Sequence, residues 1–229
     1  MISILKDISA LLFPSLCLGC ALPLSDNEAH ICTRCRHQLP LTHIHIDNAD
    51  TAEKIFYGRI KIEKATALLW FEKRGIVQHL IHQLKYKGHE EAGELLGEWL
   101  GTQLCEIPHY GTVDMVIPVP LHPKKQRERG YNQSAAFGMA LARHLKADYR
   151  DDILVRKRHT KTQTRKTRLL RWESMRGIFA IRDPGAVSGK HVLLADDVIT
   201  TGATLEACAA VLLETGHVRI SIAVMAIAV

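Results

Sequence analysis

The sequence lacks any apolar run of about 18 residues, so no segment reads as a membrane-spanning helix. Its longest apolar stretch, 220–229, is interrupted only at Ser221 and suits a terminal buried strand. Aromatic residues are few, at 6% of the chain, which leaves little material for an extended stacking surface. No Ser/His/Asp arrangement stands out, which is no objection to a chemistry that needs no enzyme nucleophile. Residues 1–16 are apolar at helical spacing (Ile2, Leu5, Ile8, Leu12), but Asp7 breaks the run and no small-residue cleavage site follows. No signal peptide is therefore expected. An amphipathic helix packed on the next domain is the plain reading, and a membrane-surface helix the lesser one.

What is present is enough for one sizeable core with a small appendage: 229 residues, 47% of them hydrophobic. The net charge of +6 is localised. Between Arg156 and Arg176 stand nine Lys/Arg and one acid, Glu173, which leaves 21 Lys/Arg against 23 Asp/Glu elsewhere. A segment so basic suits a polyanion such as pyrophosphate, a phosphorylated substrate or nucleic acid. A solvated loop is the alternative reading.

Four cysteines, Cys17, Cys20, Cys32 and Cys35, follow the pattern C-x₂-C-x₁₁-C-x₂-C. Two close pairs place four sulfurs around one tetrahedral centre, which is the pattern of a structural zinc module with no open coordination position. Two disulfides are the minor reading, since no export signal points to an oxidising compartment. Cys105 and Cys208 fall in helical patterns and read as buried apolar residues.

Residues 38–60 read as a linker, with His43 and His45 alternating with Ile44 and Ile46 as an exposed strand edge. The domains are then expected at 1–50 and 51–229. Ala65–Phe71 reads as a strand, Gly75–Tyr86 as a helix with Gly88 at its C-cap, 91–107 as a second helix and Val113–Val119 as a short strand. His122 to Ser134 reads as a cationic loop that carries Lys124, Lys125, Arg127 and Arg129, with Ser134 as the cap of an Ala-rich helix, 135–145. Ile153–Val155 and Ile178–Ile181 read as short strands that bracket the basic segment, where Lys161 and Arg165 lie on an expected closing loop.

The most informative stretch is Val192 to Thr204. An apolar run ends in Asp196 and Asp197; Thr200, Thr201, Gly202, Ala203 and Thr204 then lead into a helical pattern from Leu205 to Glu214. The apolar run reads as a strand of a parallel sheet covered on both faces. Ligands of such sheets bind beyond the carboxyl ends of the strands. Adjacent carboxylates suit sugar hydroxyls or a metal, and a Thr/Gly loop at a helix N-terminus suits a phosphate. Helix capping alone would use one acid and one Thr.

This stretch resembles the phosphoribosyl pyrophosphate (PRPP) motif of type I phosphoribosyltransferases. With the four-cysteine module, Lys85-Tyr86-Lys87-Gly88, Pro118-Val119-Pro120, Arg129-Gly130-Tyr131-Asn132-Gln133 and Thr160-x-x-Gln163-Thr164 in that order, the chain resembles the ComF family of competence-associated, phosphoribosyltransferase-like proteins. The resemblance implies a doubly wound, mainly parallel α/β domain with a zinc appendage, in a bacterial cytoplasmic protein linked to DNA uptake or nucleotide use. It implies Asp196 and Asp197 at the ribose hydroxyls, 200–204 at the 5′-phosphate, Lys124, Lys125 and Arg129 toward pyrophosphate, Lys161 or Arg165 on the closing loop, and Mg²⁺ with PRPP. The loop after Val119 is longer than the Gly-rich pyrophosphate loop of many type I enzymes and carries Pro120 and Pro123. Two readings stay open: a PRPP-dependent transferase, and a non-catalytic protein that binds single-stranded DNA or a helicase-like competence partner. In the second, Tyr86, Tyr131 and Trp172 are the residues available for stacking.

Overall fold

The computed structural model describes residues 14–47, 49–157 and 177–228. Its helices are α1 (Thr33–His37), α2 (Ile76–Tyr86), α3 (Glu91–Leu104), α4 (Pro123–Arg129), α5 (Ala135–Leu145) and α6 (Ala203–Leu213). Its strands are β1 (Lys64–Phe71), β2 (Met115–Pro118), β3 (Asp148–Tyr149), β4 (Leu154–Arg156), β5 (Phe179–Ile181), β6 (His191–Ile199) and β7 (Arg219–Ala228). The main sheet runs β1-β7-β6-β2-β3 with every pairing parallel, and β4 and β5 form a separate antiparallel pair.

Both faces of this sheet are covered, which explains the unbroken apolar runs. Along β6, Leu193 and Ala195 face one core with α2, α3 and α5, while Val192 and Leu194 face another with α6. The C-terminal strand β7 is central, between β1 and β6. Helices α3 and α5 approach closely because Gly97 offers no side chain; a Cβ there would stand 2.7 Å from Ala140 Cβ and 2.7 Å from the Phe137 carbonyl oxygen. That contact seats α5, whose first turn abuts the end of β6.

The amino-terminal edge of the sheet is closed by a polar network centred on the buried His191 and Ser221. Thr112 Oγ1 donates to the His109 carbonyl (2.8 Å), so it accepts from His191 Nδ1 (2.8 Å). His191 Nε2 then accepts from Ser221 Oγ (2.9 Å), which accepts from His109 Nε2 (3.1 Å). The two buried members, His191 and Ser221, are thereby satisfied, as burial demands.

Several expectations change. The segment from His122 to Ser134 is not all loop, since α4 occupies Pro123–Arg129. His122 caps it by accepting from the Lys124 N–H, Pro123 presets its first turn, and Gly130 at φ 88° ends it. The helix buries none of its residues, so it leaves no apolar periodicity to read. Strand β6 does not stop at the acids but runs through them to Ile199. Residues 44–47 form a turn, not an exposed strand edge: Ile44 is buried, and His45 bonds Thr66 Oγ1 (3.0 Å) and Gln103 Oε1 (2.9 Å). The helix expected at 91–107 ends at Leu104, and Cys105, just past that end, is exposed. Cys208 is buried as expected.

Candidate functional site

The crevice forms because β2 and β6 end at different heights. β2 stops at Pro118, paired with Ala195, and the Val119 N–H bonds the Ala195 carbonyl (2.8 Å). β6 continues on the β7 side alone, with Asp196 opposite Val224 and Ile199 opposite Ile227. Helix α5, which follows β2 and the exposed α4, packs on one face, and α6, the helix after β6, on the other. This reversal marks a topological switch point, where parallel sheets open a ligand crevice.

Asp196 and Asp197 lie where the two strands part, and both are buried, 7% and 6% exposed. Asp196 Oδ1 accepts from Ser134 Oγ (3.1 Å) and from the Asp197 N–H (2.8 Å). Burial, then the neighbouring Asp197 charge, pushes the Asp196 carboxyl up to about 7, although the Asp197 N–H, Ser134 and Lys85 pull the other way. Asp197 Oδ2 is paired with Lys85 Nζ at 2.9 Å. Ser134 stands at the N-cap position of α5 but spends its hydroxyl on Asp196, contrary to the capping expectation. Asn132 takes over locally: its Oδ1 accepts from the Ser134 N–H (3.1 Å) and its Nδ2 donates to the Val119 carbonyl (3.0 Å).

Next comes the Thr/Gly loop. Gly202, at φ 73°, is the N-cap of α6. A Cβ there would stand 2.7 Å from Ile55 Cγ2 and 2.9 Å from Phe56 Cε1, so both the turn and the close approach require glycine. Thr200, Thr201 and Thr204 are exposed, and Ala203 is half-buried. The first N–H groups of α6 and its dipole face the same side as the acids' end of β6.

On the other flank lies a cleft of about 220 Å³ lined by Lys85, Tyr86, Gly88, Lys125, Glu128, Arg129 and Tyr131. Arg129 donates to Gln133 and stacks over Tyr86 at 5.6 Å. Tyr131 donates its hydroxyl to the Leu84 carbonyl, which ties α2 to the RGYNQ segment. The structure thus brings Asp196, Asp197, the 200–204 loop, Lys125 and Arg129 to one side of the sheet, joined by Lys85. Lys124 is not part of the cleft lining; it is exposed and lies 3.8 Å from Glu128. Lys161, Arg165 and Trp172 lie outside the described residues. Sequence reasoning left Lys85 and Ser134 out of the site. The only signals were the Lys85-Tyr86-Lys87-Gly88 motif and the serine that opens α5.

The four cysteines form a second centre. Cys17, Cys20, Cys32 and Cys35 place their sulfurs all within 4.8 Å of one another, with Cys20 and Cys32 Sγ 3.8 Å apart. Four sulfurs bonded to one tetrahedral ion at ~2.3 Å stand roughly 3.8 Å apart, so this geometry fits a metal. Backbone N–H groups support the sulfurs: Gly19 and Cys32 donate to Cys17 Sγ (3.3 and 3.2 Å), and Cys35 to Cys32 Sγ (3.4 Å). Burial opposes ionisation of Cys17, but the N–H groups of Cys32, Cys20 and Gly19 prevail and bring its thiol down to about 7. The module docks on the main domain: the Gly19 carbonyl bonds His79 Nδ1 (3.1 Å), and Arg36 lies over Trp99 at 5.3 Å.

Comparison with known proteins agrees with this architecture. The phosphoribosyl transferase domain family matches residues 132–227. DNA utilization protein YhgH of Escherichia coli (strain K12) is 28% identical over 227 residues, covering 91% of this chain and 95% of that protein. Competence protein F of Haemophilus influenzae is 33% identical over 110 residues, 48% of each chain. Competence protein ComFC of Bacillus subtilis is 26% identical over 214 residues, 87% of this chain and 78% of that one. Among solved structures, the glutamine PRPP amidotransferase from B. subtilis overlaps 62% of this chain and 30% of its own at 21% identity and a TM-score of 0.42, which by itself defines no shared fold. The protein is therefore a parallel-sheet α/β protein whose residues 132–227 match the phosphoribosyl transferase domain family. It is a homologue of YhgH, competence protein F and ComFC, consistent with the ComF family.

Proposed function

We propose that the crevice binds PRPP or a related ribose 5-phosphate, in a protein that serves DNA utilisation or nucleotide salvage. The observation that carries this reading is the buried Asp196–Asp197 pair at the switch point, with the phosphate-binding loop on one flank and a cationic cleft on the other. The carboxylates would hold the ribose diol. The N–H groups and hydroxyls of 200–204 would hold the 5′-phosphate. Lys125 and Arg129 face the cleft where pyrophosphate would extend, and Lys85 spans the gap between that cleft and Asp197.

Mg²⁺ belongs to this reading, since hard oxygen donors suit it and PRPP supplies most of them; when bound it offsets the charge of the pyrophosphate. Asp196 and Asp197 are the residues on this chain placed to assist. In turnover the ribose would gain positive charge at its anomeric carbon as pyrophosphate leaves, and the paired carboxylates would stabilise that charge. No residue identifies an acceptor. Zinc is the metal proposed for the cysteine centre, because four sulfur ligands in a tetrahedral arrangement suit it.

A melting experiment tests the reading. PRPP with Mg²⁺ at about 100 times its Kd stabilises a protein by roughly 2.7 kcal/mol. The wild type is expected to gain thermal stability, while Asp196→Asn/Asp197→Asn gains none. Lys85→Met is expected to bind PRPP about tenfold less tightly. A wild type that PRPP leaves unmoved at millimolar concentration contradicts the proposal.

One observation favours a second reading. Tyr86 is 67% exposed at the cationic cleft, with the His82 ring tilted against it at 4.9 Å. That surface suits the base of a single-stranded nucleic acid. Fluorescence anisotropy with a labelled oligonucleotide, wild type against Tyr86→Ala, distinguishes the two.

A further inference from the structure

The phosphate-binding loop is braced from a segment of the chain far from it. Residues Glu53–Phe56 form one 3₁₀ turn whose Ile55 and Phe56 pack against Gly202, where no Cβ would fit. Arg59, three residues on, reaches back across this turn. One guanidinium nitrogen, Nη1, donates to the Ile55 carbonyl (3.0 Å) and to the Thr201 carbonyl (2.9 Å). The other, Nη2, pairs with Glu206 in the first turn of α6. Four features thus meet at one point: a glycine at positive φ, a captured loop carbonyl, an acid at the helix start, and one arginine that engages the last two.

We infer that Arg59 is a positioning residue for anion binding by the Thr200–Thr204 loop. This rests on the ribose-phosphate reading of the site and adds to it the device that sets the loop's polarity.

Two physical arguments carry the inference. The first concerns the peptide between Thr201 and Gly202. It is trans, as are all peptide bonds of the described residues, so its C=O and N–H point in opposite directions. Anchoring the carbonyl oxygen to Arg59 on the 55–59 side aims the Gly202 N–H away from that side, toward the open face of the loop. If that peptide flipped, a carbonyl oxygen would face the phosphate. Its negative end would oppose the anion that the loop and the α6 dipole attract.

The second concerns Glu206. A carboxylate in the first turn is favourable to the helix alone. In a loop meant for a dianion it is a competitor for the same dipole and a source of repulsion. The pairing with Arg59 offsets that charge and holds it on the 59 side of α6. An arginine is suited to both tasks because its planar fork donates in two directions at once; a lysine carries the charge but not the fork.

The test uses inorganic phosphate and ribose 5-phosphate as probes on the full-length, zinc-loaded protein. Affinity is read by calorimetry, and the backbone amides of Gly202, Ala203 and Thr204 by ¹⁵N–¹H correlation spectra. In the wild type, ribose 5-phosphate is expected to shift the Gly202 amide proton downfield. Arg59→Ala is expected to bind about tenfold more weakly and to lose that shift. Arg59→Lys, which keeps the charge and the fold, is expected to retain Glu206 pairing yet still lose most of the Gly202 shift. Glu206→Gln is expected to bind at least as tightly as wild type. In Arg59→Ala/Glu206→Gln, removal of the acid is expected to restore only part of the lost affinity.

A merely structural role would lower melting temperature without changing which amides respond to phosphate. Arg59→Ala and Arg59→Lys binding ribose 5-phosphate with wild-type affinity and a wild-type Gly202 shift would overturn the inference and leave the ribose-phosphate site standing. Full recovery in the double variant would overturn the peptide-orientation argument, because Arg59 would then act only as a counter-charge. A wild type whose loop amides respond to neither probe would overturn both this inference and the reading beneath it.

Discussion

Asp196 and Asp197, the centre of the proposed ligand site, show how much a single pair of residues can decide. Two buried carboxylates side by side resist being charged together, and the one without a cation, Asp196, is pushed up to about 7 by burial and by its neighbour. A ligand that needs both carboxylates ionised must expel the proton that Asp196 holds. Binding of PRPP with Mg²⁺ is therefore expected to release a proton near neutral pH and to tighten as pH rises through about 7. Calorimetry in two buffers of different ionisation enthalpy checks the release, and a Kd series across neutral pH checks the trend. The stability effect has the opposite sign. A carboxyl whose folded value is raised stabilises the fold below its ordinary value of 3.8, and this is lost as pH rises through about 7. Asp196→Asn keeps an acceptor for Ser134 and for the Asp197 N–H, so at pH 8 it is expected to melt higher than wild type while losing the ligand. A lower melting temperature at that pH would contradict the account.

At the scale of elements, the site depends on helices brought close by small residues. Gly97 faces α5 with no room for a methyl group, so Gly97→Ala is expected to cost about 1–3 kcal/mol by overpacking, measured by chemical denaturation. It should also weaken PRPP binding, because α5 carries Ser134 to Asp196. The cysteine centre acts similarly on α2. Cys17, Cys35, Val77 and Leu80 share one core, and the last turn of α2 holds Lys85. Chelation of the metal is expected to lower the melting temperature and weaken PRPP binding together, with metal analysis reporting one zinc ion per chain beforehand. How much was legible differs by element. β1, α2, α5, β6 and β7 were written in their apolar patterns, and the acid pair with its loop marked the candidate site. Helix α4 was not, because it buries nothing; only the Pro123 and Gly130 punctuation marked it. Lys85 and Arg59 escaped because their partners, Asp197 and Thr201, are reached only through the tertiary fold. Cys105 was misplaced because it falls one residue past the helix whose pattern it shares.

For the whole molecule, the sheet divides the labour. Its amino-terminal edge is sealed by the His109–Ser221–His191 network, and at its carboxyl edge β2 and β6 part after Pro118 and Ala195, where the proposed ligand site lies. Charge adds a second distinction: nine Lys/Arg against one acid between Arg156 and Arg176 account for the basic balance of the chain. If that segment serves a nucleic acid, replacing Lys161, Arg165, Lys166 and Arg168 by Ala flattens the salt dependence of oligonucleotide binding. If it serves a ribose phosphate alone, the same changes alter PRPP affinity and no oligonucleotide slope exists to flatten. The central claim, a ribose-phosphate site built on the acid pair, is met most directly by calorimetric titration of the zinc-loaded protein with PRPP and Mg²⁺, beside Asp196→Asn/Asp197→Asn. The account predicts saturable binding by the wild type and none by the double variant. Equal binding by both proteins, or none by the wild type at millimolar PRPP, would contradict it.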